Sequence, residues 1–419
     1  MKSMFRVLIV FIFFAVNSYA DNGDPVNLFL KGNYEKAYPG LLNKAAQGDM
    51  AAQYGLGVIN ARGLGNVTCD LSKAVKWYRK SAVKGHKGAQ KNLASIYMSE
   101  DGNRIADKET LEYYINAAEN GSYDALYYLG EMYFAGYGVK RQYGKAFKWY
   151  MKAARKGDER AQYSLGVMNQ RGFGTQKNDK EAVKWYKMAA ESGYSKAQYN
   201  MGLHYYLGKG VKKNLFKSFK WYHIAGENGL DKAQFNLGIM YDGGIGTTKD
   251  QKKSTHWFGA AARQGNVMSQ YYYGLAFKDG LGVKNDSKEA VYWFSKAVEK
   301  NAVRATYELG TMYYKGDGVK QSYTKAYSLY TKTADKGYNK GMYSLGVMHA
   351  NGFGVKPDYI SAYKYFHISL ALGYKPAEKP LDKTKKQMTA KQLQKAKKAA
   401  SDWVNNNMIH NNSTKNQSW

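Results

Sequence analysis

Histidine, cysteine and carboxylate side chains are the residues with which this sequence could bind a metal or transfer protons. The 419-residue chain contains seven histidines and a single cysteine, Cys69. No two histidines have the HExxH spacing that places zinc ligands on one helix face. A single cysteine excludes an internal disulfide and a cysteine-based zinc site. Carboxylates do not cluster along the chain as an acid–base pair would. We therefore predict no catalytic residue, no metal ligand and no cofactor.

Pairs of glycines separated by one residue resemble phosphate-binding loops only superficially. Gly172/Gly174 and Gly208/Gly210 are examples. None of these pairs belongs to a GxxxxGK[ST] motif or to a GxGxxG that follows a strand. They recur at one fixed interval, and glycine readily adopts the positive φ that ends a helix. We interpret them as turns between helices.

The elements that position any site are copies of one helical hairpin. Within residues 161–193, apolar and small residues four apart predict one helix before Gly172 and a second after Asn178. After a first step of 37 residues the unit repeats every 36 residues, and a single hairpin buries too little to be stable alone. Full units begin at Ala52, Ala89, Ala125, Ala161, Ala197, Ala233, Ser269, Ala305 and Gly341.

The consensus of these units resembles a known repeat family. The pattern A-x-Y-x-L-G-x-x-Y-x-x-G-x-G-V followed by K-A-x-x-W-Y-x-x-A-A-x-x-G is similar to the Sel-one-like repeat (SLR), a relative of the tetratricopeptide repeat (TPR). The resemblance implies an all-α fold: a right-handed α/α superhelical solenoid of about nine helix-turn-helix repeats with terminal capping helices. It also implies a scaffold for protein complexes. Exported bacterial members of the family are associated with host-cell entry and trafficking, or with envelope maintenance.

The N-terminal residues predict export. Lys2 and Arg6 precede ten apolar residues, and Ser18 and Ala20 form a small-residue cleavage site. Ten apolar residues are about half the length that crosses a bilayer. We predict a signal peptide at 1–20 and a periplasmic, secreted or cell-surface protein. The remaining predicted segments are an N-terminal half-repeat cap at 21–51, nine repeats at 52–376, a C-terminal capping helix at 377–404 and a disordered tail at 405–419.

One row of first-helix residues varies between the repeats. Counted from the repeating leucine, positions −4, 0 and +4 form the predicted core face, and positions −2, +2 and +5 lie opposite. The resemblance implies that this opposite side faces a concave groove. The aromatic residues at −2 and the mostly apolar ones at +2 either line that groove or pack between neighbouring first helices, and we favour packing. Position +5, the variable row, is where we expect protein or peptide specificity. The predicted binding residues are Phe134, Gln170, Tyr206, Asp242, Lys278 and Tyr314.

A basic ridge is the second candidate surface. The formal net charge is +30, which favours anionic partners, although a lysine-rich surplus is also common on solvated faces. One lysine follows the paired glycines in five repeats, so the ridge would run along the inter-helix loops. Its residues are Lys140, Lys212, Lys284, Lys320 and Lys356.

Three functional classes follow from these observations. The first is an exported, non-catalytic adaptor that binds proteins through the groove, in a bacterial envelope or host-interaction setting. The second is a module that binds anionic envelope polymer or membrane lipid through the basic ridge. The third, an enzyme with a site assembled from distant repeats, has the least support because no activated nucleophile is evident. Export argues against a nucleic-acid partner.

Overall fold

A computed structural model describes residues 23–97 and 108–414. The predicted signal peptide, Met98 in the variable row and residues 415–419 lie outside this part of the chain. Every regular element within the described ranges is helical, and no strand occurs there. The predicted all-α helical solenoid is confirmed.

The chain divides into two compact units between Ala182 and Val183. In both units most helices pack against the helices that precede and follow them in sequence. The helices of the first unit are α1 (Pro25–Leu30), α2 (Tyr34–Ala46), α3 (Met50–Arg62), α4 (Leu71–Val83), α5 (Lys87–Tyr97), α6 (Lys108–Glu119), α7 (Tyr123–Ala135), α8 (Tyr143–Arg155) and α9 (Glu159–Arg171). Helix α10 (Asp179–Glu191) contains the division.

The second unit continues the same alternation of first and second helices. Its helices are α11 (Ser195–Leu207), α12 (Leu215–Glu227), α13 (Asp231–Gly243), α14 (Gln251–Arg263), α15 (Val267–Asp279), α16 (Ser287–Val298), α17 (Val303–Lys315), α18 (Tyr323–Ala334), α19 (Asn339–Asn351), α20 (Tyr359–Ala371), α21 (Glu378–Lys385) and α22 (Ala390–Thr414). A single 3-10 turn, Lys375–Ala377, precedes α21.

The two helices of a repeat touch through a glycine and an aromatic ring. In repeat three, a Cβ built on Gly130 of α7 would lie 2.4 Å from the ring of Tyr150 on α8. Gly238 and Phe258 have the same relation in repeat six. Because no side chain separates them, the ring packs flat on the backbone of the first helix and is almost completely buried. The glycine after the repeating leucine therefore sets the spacing between the two helices.

Buried glutamines connect successive repeats. Gln198 of α11 donates to the carbonyl of Ala190 at 3.2 Å, and Gln234 of α13 donates to that of Gly226 at 3.0 Å. Each glutamine adds a second hydrogen bond to a carbonyl that already accepts one from a backbone N–H at the end of the preceding second helix. Polar side chains cap several of the second helices. Asn214, for example, accepts a hydrogen bond from the backbone N–H of Lys217 at 2.8 Å.

The C-terminal segment differs from its prediction. Residues 377–404 form two helices, α21 and α22, where we expected one. Helix α22 continues through Thr414, so residues 405–414, predicted as disordered, are helical. Ala400 of α22 is fully buried against the last repeat, in one cluster with Leu345 and Ile368. The predicted helix ended at Val404, but a helix once nucleated by packing can extend past its buried face.

Candidate protein-binding surface

Phe134 of the variable row lies in an aromatic cluster within the first unit. Its ring centroid is 5.3 Å from that of Tyr143, at the start of α8, and 5.9 Å from that of Phe173. Phe173 stands between the paired glycines of the next repeat and stacks on Tyr143 at 4.9 Å. The half-buried Phe134 ring therefore joins two repeats, and one of its faces is occupied by this packing.

Tyr314 repeats this arrangement in the second unit. Its ring lies 5.3 Å from Tyr323 and 5.8 Å from Phe353, and the latter two rings stack at 4.9 Å. Partial burial raises the pKa of the Tyr314 phenol, so its hydroxyl stays protonated at neutral pH. The predicted anchors at +5 are thus also structural contacts between repeats.

Tyr206 and Asp242 are the exposed members of the variable row. The Tyr206 side chain is 38% exposed at the end of α11. Asp242 is exposed at the end of α13 and accepts a hydrogen bond from the side chain of Gln251. One offers an aromatic surface with a hydroxyl group and the other a carboxylate, so the second unit presents two chemically distinct contacts one repeat apart.

Lys278 and Gln170 are half-buried members of the variable row. The Lys278 ammonium lies 2.8 Å from a carboxylate oxygen of Glu308, in the next first helix, and 3.8 Å from Asp279. This ion pair is half-buried and bridges two repeats, so the lysine charge is already compensated within the chain. Gln170, in the first unit, is half-buried.

The aromatic residues at position −2 form a tyrosine row on the first helices. Rings of this row pack against the core ring of the second helix in their own repeat, with centroids 5.4 Å apart for Tyr199 and Tyr222 and 5.6 Å apart for Tyr307 and Tyr330. Packing between first helices, which we favoured, also occurs, since Phe235 lies 6.0 Å from Tyr272. All members stay half-buried, so one edge of each ring remains accessible. They are Tyr54, Tyr127, Tyr163, Tyr199, Phe235, Tyr271, Tyr307 and Tyr343.

The rings of the tyrosine row are flanked by residues that we did not predict from the sequence. The turn before the following first helix supplies a side chain to each of several rings: His86 stacks on Tyr54 at 4.2 Å, and Tyr338 meets Tyr307 at 5.5 Å. Burial raises the pKa of Tyr307 and of Tyr338 and lowers that of His86, so these groups are neutral near pH 7. The signal that would have revealed them is the 36-residue period of the turn itself, in which His86 and Tyr338 hold the same position.

The ridge lysines are exposed. Lys140 in the first unit and Lys212, Lys284, Lys320 and Lys356 in the second unit all follow the paired glycines with accessible side chains. Within the part of the chain that the structure describes, none of these five lysines forms an ion pair.

The described residues contain no metal-binding constellation. No group of three or more histidine, cysteine, aspartate or glutamate side chains converges there. Among helices in the same part of the chain, none has the length and apolar character needed to cross a bilayer.

Comparison with protein families decides the classification. The model of the Sel1 repeat matches residues 51–86, 88–122, 124–158, 159–194, 195–230, 231–266, 267–301, 303–338 and 339–374. The chain belongs to the Sel1 repeat family. Each matched segment begins one or two residues before the corresponding unit inferred from periodicity. A search of curated proteins finds no match. Sel1 repeats generally act as scaffolds for protein interaction, and their fold is generally non-catalytic.

Two solved structures of Sel1 repeat proteins are similar to this chain. One is c5321, described as a protective antigen present in uropathogenic Escherichia coli strains and displaying an SLR fold. It is 29% identical, the match covers 95% of this chain and 96% of that one, and the TM-score is 0.52. The other is a Sel1 repeat protein from Oxalobacter formigenes, 30% identical over 57% of this chain and 96% of that one, also with a TM-score of 0.52.

Proposed function

We propose that this Sel1 repeat protein is an exported, non-catalytic adaptor that binds a protein partner along the tyrosine row and the variable row. The observation that carries the proposal is the half-buried tyrosine row, in which five successive first helices of the second unit present an aromatic edge. Aromatic side chains bury large areas with little loss of conformational entropy, which makes them frequent anchors of protein interfaces. A peptide lying along such a row would contact one ring per repeat.

Specificity would then come from the exposed members of the variable row. Tyr206 and Asp242 differ in charge and shape, and neither is enclosed by a neighbouring repeat as Phe134 and Tyr314 are. We assign the main discriminating contacts to these two residues and a packing role to Phe134 and Tyr314. Lys278, paired with Glu308, contributes less because binding would have to break or share that pair.

Export and a host-interaction role are also part of the proposal. The N-terminal pattern of two basic residues, ten apolar residues and a small-residue cleavage site supports export. The similarity to c5321, described as a protective antigen present in uropathogenic Escherichia coli strains, supports the host-interaction role. Purification of the exported protein should give Asp21 as the first residue. A mature chain that retains residues 1–20 would refute the predicted signal peptide.

The binding test compares matched variants of the mature chain. Y206A/D242A removes the exposed part of the variable row, and Y292A removes an exposed aromatic ring, 50% accessible against 38% for Tyr206, from the second helix α16. Each protein is immobilised and incubated with envelope and host-cell extracts, and retained proteins are quantified by mass spectrometry. We expect a defined set of proteins to be lost with Y206A/D242A and kept with Y292A. Equal retention by both variants would show that the variable row is not the binding surface.

The basic ridge supports a second function, binding to an anionic surface. The specific observation is that its five lysines are all exposed at equivalent loop positions. Binding through such charges is long-range and screened by salt, with a Debye length of about 8 Å at physiological ionic strength. Retention that falls steeply between low and physiological salt would identify the ridge, and retention that changes little would identify the aromatic rows.

A further inference from the structure

The edge of repeat five, where α11 is joined to α12, combines lysines with exposed apolar side chains. From Glu191 to Glu227 the intervening sequence contains six lysines and no aspartate or glutamate. Lys209, Lys212, Lys213 and Lys217 are all exposed. No acidic residue compensates this charge along the segment, whereas Lys278 of repeat seven is paired with Glu308 of repeat eight.

Two large apolar residues frame these lysines. Leu207, the last residue of α11, is 48% exposed, and Phe216, the second residue of α12, is 56% exposed. Lys213 packs directly against Gly208, the residue that follows Leu207. The Lys220 ammonium lies 4.5 Å from the centre of the Phe216 ring. The apolar tips, meaning the exposed side chains of Leu207 and Phe216, therefore lie at the same end of the hairpin as the cationic groups.

An open depression lies within the same surface. Its volume is about 390 Å³, and Lys212, Lys213 and Lys217 line it together with Tyr205 and Val211. The Lys217 ammonium is 5.5 Å from the centre of the Tyr205 ring, which holds the charge at the wall of the depression. Three cationic side chains around a shallow cavity suit a phosphate-bearing headgroup.

We propose that the repeat-five patch, formed by Leu207, Lys209, Lys212, Lys213, Phe216 and Lys217, docks this protein onto the surface of an anionic phospholipid bilayer. The lysines attract the negatively charged headgroups, and Leu207 and Phe216 enter the boundary between headgroups and acyl chains. A soluble polyanion would engage the lysines without requiring the apolar tips. A protein partner is disfavoured because lysine is depleted from protein interfaces. The proposal is independent of partner binding by the aromatic rows.

Repeat six supplies a matched control. Lys249 and Lys253 occupy the positions of Lys213 and Lys217 one repeat later, and Lys253 lies at the same 5.5 Å from an equivalent tyrosine ring. Asp250 stands 3.7 Å from the Lys253 ammonium, and Asp242 lies at the end of the preceding helix. A lysine, Lys252, replaces Phe216. This edge has similar lysines but carries acidic neighbours and lacks the exposed phenylalanine.

Vesicle co-sedimentation of the mature chain tests the proposal. The probes are vesicles of phosphatidylcholine alone and of phosphatidylcholine mixed with phosphatidylglycerol. Each lysine near an anionic membrane contributes about fivefold to binding, so K209A/K213A/K217A should weaken binding to the mixed vesicles by about a hundredfold. L207S/F216S should weaken it by about tenfold, and K249A/K252A/K253A by less than about threefold. Little binding to phosphatidylcholine alone is expected.

Three results would overturn the proposal. The first is equal weakening by the repeat-five and repeat-six lysine variants, which would indicate a diffuse charge effect. The second is unchanged vesicle binding by L207S/F216S, combined with strong binding of that variant and the wild type to dextran sulfate, which would indicate a site for a soluble polyanion. The third is no binding of the wild-type protein to mixed vesicles at low salt. All substituted residues are exposed, and circular dichroism of each variant verifies that the helices are intact.

Discussion

Replacement of Gly130 by alanine tests how the two helices of a repeat are held at their spacing. An alanine Cβ at this position would lie 2.4 Å from two carbons of the Tyr150 ring. Non-bonded carbons approach to about 3.5–4.0 Å, so the ring or the helices must move by more than about 1 Å. The ring is only 1% exposed, and its hydroxyl donates to the Glu131 carboxylate at 2.6 Å. It therefore has little room to rotate away.

The expected cost follows from this overlap. Overpacking a close-packed interior costs about 1–3 kcal/mol, and the fixed Tyr150 ring places G130A at the upper end of that range. Gly144 in the same repeat is a matched control, since a Cβ added there meets no atom within 4 Å. Because alanine is the better helix former, G144A should gain about 0.5–1 kcal/mol. The same substitution, made in the two facing helices of one repeat, should thus change stability in opposite directions.

Two measurements decide the outcome. Urea denaturation followed by circular dichroism gives the order of stability, which should be G144A, then wild type, then G130A. Amide hydrogen exchange shows whether the protection lost in G130A is concentrated in α7 and α8, as the local contact requires. If G130A is as stable as the wild-type protein, the glycine does not set the helix spacing, and our account of the hairpin is wrong.

Three further predictions concern single positions. Gln142 precedes α8 with the backbone conformation of the capped positions, but its side chain makes no capping hydrogen bond. The substitution Q142D should raise the free energy of unfolding by about 1 kcal/mol, measured by urea denaturation. His204 is buried, and its Nε2 has no hydrogen-bond partner among the described residues. H204M introduces the methionine that repeats four and six have at this position, and it should raise the free energy of unfolding by about 1 kcal/mol in the same assay. A lower free energy of unfolding would show that the 2.8 Å contact between Nδ1 and the Lys209 carbonyl contributes more. Burial lowers the pKa of His349 and His367 below 6.5, so the unfolded chain binds more protons than the folded chain as pH falls through 6.5. Stability should therefore be full above that pH and decline below it. In measurements of Tm against pH, the decline should be less steep for H349Q/H367Q than for the wild-type protein.

The helical architecture could be derived from the sequence because every level of the pattern agrees. The 36-residue period, the paired glycines and caps such as Asn214 all specify the same hairpin, and the structure has each of them where the period places it. The length of α22 could not be derived in this way. Its buried face ends near Val404, whereas the helix itself continues through polar residues that no packing pattern marks.

The candidate surface was less predictable because it depends on contacts between repeats. A helix wheel places Phe134 and Tyr314 on an outer face, but it cannot show that the loop of the following repeat brings Phe173 or Phe353 against them. A clue was present: in both cases the second helix begins with tyrosine and the next glycine pair encloses phenylalanine. In repeat five, where leucine and isoleucine hold those positions, Tyr206 remains exposed.

Helix α22 also determines what the end of the array can do. Its buried Ala400, with Trp403 and Val404 beside it, occupies the apolar surface that a tenth hairpin would otherwise cover. Growth of the array by addition of another chain to this surface is therefore blocked by α22. Proteolytic removal of α22 would expose this apolar surface, and copies of the cleaved chain would then be able to stack end to end into filaments.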